Sequence, residues 1–152
     1  MKTVLFVFFL LTQLSAYQKG DIITEAMASH LGLEDNKVYV IDFFASWCGS
    51  CQKELPRICT LESRINHAKV EIIGIDVDQK VSEAMAFQQA LKSEHHLNFK
   101  IINDPQNLII SEFAPLGMPT LYYVKNRKVL KVITGAVDGI DRQILDDLKT
   151  LE

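Results

Sequence analysis

The 152 residues, 48% hydrophobic and 23% charged with a formal net charge of −3, suffice for one globular domain with a sizeable buried core. A mildly acidic chain without a basic cluster is a poor match for nucleic acid or an anionic membrane surface, and no glycine-rich phosphate loop points to a nucleotide. His30, His67, His95 and His96 show no ligand spacing with the three cysteines, so neither a metal site nor a cofactor is expected.

Residues 1–16 are read as a secretory leader. Lys2 supplies the positive start, Val4–Leu11 is an unbroken apolar run, and Leu14-Ser15-Ala16 ends in a small residue where cleavage is expected. The run falls short of the roughly 20 residues that span a bilayer. Export, most simply to a bacterial periplasm, is therefore the expectation, with an uncleaved anchor as the alternative. Residues 17–152 form the one remaining domain.

Within 17–37, Ile22, Ile23, Ala26, Met27, His30 and Leu31 recur at helical spacing, and Gly32 can end that helix. Val38–Ala45 is apolar on both faces apart from Asp42, which suits a central parallel strand covered on both sides. Val40, Asp42 and Phe44 share one face, so a carboxyl is placed inside, near the cysteines, where desolvation raises its pKa.

Trp47-Cys48-Gly49-Ser50-Cys51 follows, and Gln52-Lys53-Glu54-Leu55 opens a helical pattern. The order strand, Cys-x-x-Cys, helix puts Cys48 at a helix N-terminus. There the dipole and free amides favour a thiolate, lowering a thiol pKa from about 8.5 into a range of roughly 3.5–7.5. Cys48 is the expected nucleophile. Cys51, one turn into the helix, resolves mixed disulfides by closing a Cys48–Cys51 disulfide. Half a zinc site or a static disulfide are the bland readings, and zinc lacks the second Cys-x-x-Cys it would want. Cys59 lies eight residues after Cys51, about 12 Å along a helix, beyond the about 7 Å Cα reach of a disulfide. Its stripe with Leu55, Ile58 and Ile65 makes it a buried small hydrophobe.

The helix is expected over Cys51–His67 with a kink at Pro56. Lys69–Asp78 is the second parallel strand, Val81 to about His96 a further helix, and Phe99–Ile102 a short strand. Asp104-Pro105 is read as a helix cap followed by the first helical residue. Thr120–Lys125 and Lys128–Thr134 form a hairpin about the Asn126-Arg127 turn. Asp138 is read as the cap of a last helix with Ile140, Ile144, Leu148 and Leu151 inward.

The segment Asp42–Cys51 resembles the active-site segment of thioredoxin-fold proteins. Gln52-Lys53-Glu54-Leu55-Pro56 narrows the likeness to the exported TlpA/ResA/CcmG-like thiol-disulfide oxidoreductases, which carry a glutamate and then a proline here. Phe113–Thr120 resembles the later landmark of that fold, a cis-proline before an antiparallel strand. The resemblance implies an α/β thioredoxin fold: a central mixed sheet of about four strands with helices on both faces. It implies that Asp42 and Glu54 handle the proton of the resolving thiol, and that Trp47, Met118 and Pro119 form the substrate-docking edge. It also implies a monomeric reductase of protein substrates such as apocytochromes c, fed with electrons by a membrane partner.

Two departures from the pattern stand out. Many relatives have asparagine where this chain has Asp42, yet Glu54 is present too. The segment before the central strand suits a single helix rather than the hairpin common in the group. An exported dithiol oxidase, a copper-holding metallochaperone using Cys48 and Cys51, and a single-cysteine peroxidase of the same fold are the competing readings.

Overall fold

A computed structural model describes residues 15–151, and the leader read over 1–16 lies outside them up to Leu14. The central strand β1 (Val38–Phe44) is buried along its whole length. It runs parallel to β2 (Val70–Asp76), which in turn pairs in parallel with β3 (Lys100–Asn103). On its other side β1 pairs antiparallel with β4 (Thr120–Lys125), whose hairpin partner is β5 (Lys128–Thr134). The sheet therefore reads β3-β2-β1-β4-β5, five strands rather than about four. The strand hardest to count from sequence is β3, four residues long with no fully buried position.

Adjacent residues of β1 point to opposite faces. Phe43 packs on Phe113 and Tyr122, while Phe44 packs on Phe87. Phe87 belongs to α3 (Val81–His95) and Phe113 to α4 (Leu108–Phe113), so helices cover both faces. Helix α2 (Gly49–Cys59) packs against α3 and against α5 (Ile140–Leu151).

Three helix boundaries differ from the sequence reading. α2 ends at Cys59 instead of running to His67, although it continues through Pro56. The backbone tightens there: the Thr60 and Leu61 amides donate to the Arg57 and Ile58 carbonyls three residues back, and the Thr60 hydroxyl also bonds to the Arg57 carbonyl. α1 is confined to Glu25–Leu31, capped by the Thr24 hydroxyl and ended by Gly32 in the left-handed region. Ile22, expected in that helix, instead bridges to Lys128.

Asp104 does cap α4, since its carboxylate accepts the amides of Leu108, Ile109 and Ile110. Pro105, however, lies in the turn before the helix. α5 begins at Ile140, after Gly139 at φ 74°, and Asp138 supplies no side-chain hydrogen bond to it. The hairpin turn is as expected, with Asn126 and Arg127 both at positive φ.

A strap ahead of α1 runs along the start of β5. Gly20 donates to the Val129 carbonyl, Val129 to that of Asp21, and Ile23 to that of Arg127. Tyr17 and Thr24 both donate hydroxyl hydrogen bonds to Glu112 of α4, at 2.8 and 2.7 Å.

Gly74, opposite Asp42 in β2, is where the sheet is most tightly covered. A Cβ there would stand 2.6 Å from Ile101 Cδ1 and 2.8 Å from Phe44 Cε1. Gly74→Ala is expected to cost about 1–3 kcal/mol by overpacking, read as a lower urea midpoint with an unchanged slope.

Candidate active site

The turn leaving β1 is closed by the Cys48 amide donating to the Ala45 carbonyl at 3.1 Å. Cys48 is the N-cap of α2, in extended backbone conformation, and its Sγ accepts the Cys51 amide at 3.2 Å. The two cysteines are joined in a disulfide with Cα atoms 5.2 Å apart. Cys48 is 7% exposed and Cys51 1%, whereas neighbouring Trp47 is 66% exposed. Both cysteines are buried, Cys51 the more completely, and the exposed Trp47 immediately precedes the pair.

Asp42 of β1 and Glu54 of α2, three residues after Cys51, are both buried and close enough to act on one another. Glu54 Oε1 accepts the backbone N–H of Val137, in the connection between β5 and α5. Its Oε2 and Asp42 Oδ1 have no hydrogen-bond partner. Burial, and then the charge of Glu54, push the Asp42 carboxyl well above the usual range. Burial also pushes Glu54 up, opposed by the Val137 amide. An acid whose pKa is raised in this way can hold a proton at neutral pH and exchange it with a neighbouring thiol.

The Met118–Pro119 peptide bond is cis. Because Thr120 pairs with Phe43, Pro119 stands beside the end of β1, next to the turn that carries Cys48. The backbone N–H and C=O of Met118 make no hydrogen bond within the described residues. Met118 and Trp47 line an open cleft of about 580 Å³. One bank is Val77–Lys80 and the other Ile110, Ser111 and Pro115. Trp47 and Met118 thus share one cleft, with Pro119 next in the chain to Met118.

Cys59 is unpaired and buried, and burial pushes its thiol up to about 11. Among the described residues no group of three or more His, Cys, Asp or Glu is arranged to hold a metal ion.

Sequence reasoning missed two partners. Val137 contributes only a backbone amide, which no side-chain pattern announces. Asp78, whose carboxylate accepts the backbone and hydroxyl hydrogens of Ser46, was counted only as the end of a strand. Two acids at alternate positions, Asp76 and Asp78, at the carboxyl end of a buried parallel strand were the available signal.

A profile of the AhpC/TSA family matches residues 16–133. The chain belongs to that family. ResA of Geobacillus thermodenitrificans, named a thiol-disulfide oxidoreductase, is 28% identical over 111 residues, covering 72% of this chain and 62% of that protein. ResA of Bacillus subtilis is 26% identical over 98 residues, 64% of this chain and 52% of its own length. The chain spans less than two thirds of these curated relatives.

Among solved structures, a candidate thiol:disulfide interchange protein DsbE from Chlorobium tepidum superimposes with TM-score 0.70 at 20% identity. The match covers 90% of this chain and 98% of that one. StoA from Bacillus subtilis gives 0.64 at 18% identity, over 75% and 84%. These likenesses carry the thioredoxin-like fold of this AhpC/TSA member.

The raised Asp42 pKa fixes the sign of a pH effect. Above the ordinary carboxylate pKa of about 3.9 the unfolded chain loses a proton that the folded protein keeps, so stability falls as pH rises through the interval up to the folded pKa. Asp42→Asn is expected to stabilise the oxidised protein at neutral pH by on the order of 1–3 kcal/mol, the scale of a buried unpartnered polar group. That gain should vanish below about pH 4. Denaturant titrations at several pH values check both halves. Cys59→Ala should leave disulfide exchange intact and cost roughly 1 kcal/mol.

Proposed function

We propose that this protein exchanges disulfides with protein substrates and works in the reducing direction on exported proteins. The observation that carries the reading is the closed Cys48–Cys51 pair at the start of α2, next in the chain to Trp47 of an open cleft, in a domain that also buries the acids Asp42 and Glu54. The names of the ResA relatives support the reaction class.

In this scheme the Cys48 thiolate attacks one sulfur of a substrate disulfide, and one substrate thiolate leaves. Cys51 then gives its proton to the Asp42–Glu54 pair and attacks Cys48 Sγ. The second substrate thiolate leaves, the substrate having gained two electrons, and the protein pair is left as a disulfide. Asp42 and Glu54 return the proton as the next dithiol forms.

An extended substrate segment pairs with the free backbone of Met118, beside Pro119 and Trp47. Apocytochromes c, whose cysteine pair must be reduced before haem attaches, fit this substrate class. A membrane electron donor completes the cycle, the protein acting as a monomer without cofactor or nucleic acid. The apolar start of the sequence supports export to the periplasm by way of a cleaved leader. No helix among the described residues is long and apolar enough to cross a membrane.

Cys48→Ser should abolish reduction of insulin or a model disulfide, and Cys51→Ser should trap a mixed disulfide with substrate. Rapid alkylation of Cys51 in place of Cys48 would reverse the two roles. A reduction potential near or below about −200 mV supports the reductase, and one nearer about −120 mV would make the protein an oxidase.

A further inference from the structure

Asp78 lies just past the carboxyl end of β2 and is 2% exposed. Both of its carboxylate oxygens are committed to one residue of a different segment. Oδ2 accepts the Ser46 backbone N–H at 2.8 Å, and Oδ1 accepts the Ser46 hydroxyl at 2.9 Å. Ser46 sits two residues before Cys48, inside the turn closed by the Cys48 amide, and its own carbonyl accepts the Gln52 side chain of α2. The backbone leading into the nucleophile is therefore held from both sides.

Asp78 is itself fixed. Its amide donates to Asp76 Oδ1 at 3.0 Å, and Asp76 Oδ2 accepts Gln88 of α3 at 2.8 Å. Gln88 also donates to Asn103 of β3. A file of hydrogen bonds thus runs from β3 and α3 to the turn that carries Cys48.

With consecutive Cα atoms 3.8 Å apart, two residues of chain keep the Asp78 carboxylate within about 14 Å of the Cys48 sulfur, and a buried charge is screened much less than an exposed one. The ionisable groups on the packed elements are mostly acidic. Asp42 of β1 and Glu54 of α2 are buried with raised pKa values, and Asp76 accepts the Asp78 amide. Asp104 is saturated by α4 amides. The cations are Lys80 at the start of α3, paired with Glu83 at 2.8 Å, and Lys53, exposed on α2.

We propose that Asp78 is a positioning residue that, through Ser46, holds the turn entering Cys48 and sets a fixed negative charge beside it. The charge opposes the thiolate and leaves the disulfide untouched. The dithiol form is destabilised relative to the disulfide, and the pair is poised to give electrons away. This rests on the reductase reading above and names one residue that sets its direction.

The test measures iodoacetamide alkylation of Cys48 against pH in the reduced protein, together with the equilibrium against glutathione. The proteins compared are the wild type, Asp78→Asn, Asp78→Glu and Ser46→Ala. Asp78→Asn keeps an acceptor for Ser46 and loses the charge. It should move the Cys48 titration to lower pH, speed alkylation near pH 6 by roughly three- to tenfold, and shift the glutathione equilibrium toward the dithiol by a similar factor. Asp78→Glu, which retains the charge, should return both readings toward wild type. If Asp78→Asn does not fold, Ser46→Ala at the half-exposed end of the contact should move both readings the same way by a smaller factor. Profiles superimposable on wild type in the folded variants would overturn the proposal. Failure of the underlying reading would look different, with wild-type Cys51 as the fast-alkylating thiol or Cys48 titrating as an ordinary thiol.

Discussion

The carboxyl of Asp42 is held at the middle of the sheet, between Gly74 on β2 and Leu121 on β4, on a strand with no exposed residue. Burying an acid without a full set of partners is costly, and here one of its oxygens has none. The pressure is relieved by keeping the proton, and Glu54 beside it adds to that pressure rather than answering it. Much of the surrounding design follows. β1 is flanked on both sides, which seals the acid in, and Glu54 of α2 lies close enough for its charge to act on it.

The second organising theme is the contrast between what faces outward and what does not. Trp47, Leu108 and Leu116 are the most exposed large apolar side chains, and all belong to segments around the cleft or next to it. Cys51, Asp42 and Glu54 are buried, away from water.

Local chemistry was legible in the sequence. The run Val38–Ala45 declared a buried strand, Cys-x-x-Cys before a helical pattern declared its own orientation, and Asn126-Arg127 gave the hairpin turn. α2 is shorter than its pattern because Leu61 and Ile65 continue the apolar stripe while the backbone tightens at Thr60 and leaves the helix. Pro105 was placed in a helix because a carboxylate before proline resembles a helix start, whereas Asp104 reaches across a longer turn to the α4 amides. Ser46 and Asp78 are 32 positions apart, and Glu54 and Val137 are 83 apart. Such contacts exist only after the sheet has formed, and one of the four groups is a bare amide. The alternate acids Asp76 and Asp78 flag one end of one contact, and the residue pattern names neither partner.

The strap before α1 has a consequence for behaviour in a crowded solution. β5 is the outer strand of the sheet beyond β4, and an unpaired outer strand invites the same strand of another molecule to add to it. Gly20–Ile23 occupies the first stretch of that edge with its own backbone hydrogen bonds, and Lys128 and Lys131 place charges along the strand. The segment before α1 therefore covers part of an edge that a copy of the chain could otherwise pair with. A chain cut shortly before α1 would retain both cysteines and the cleft but would leave a bare sheet edge for its copies to find.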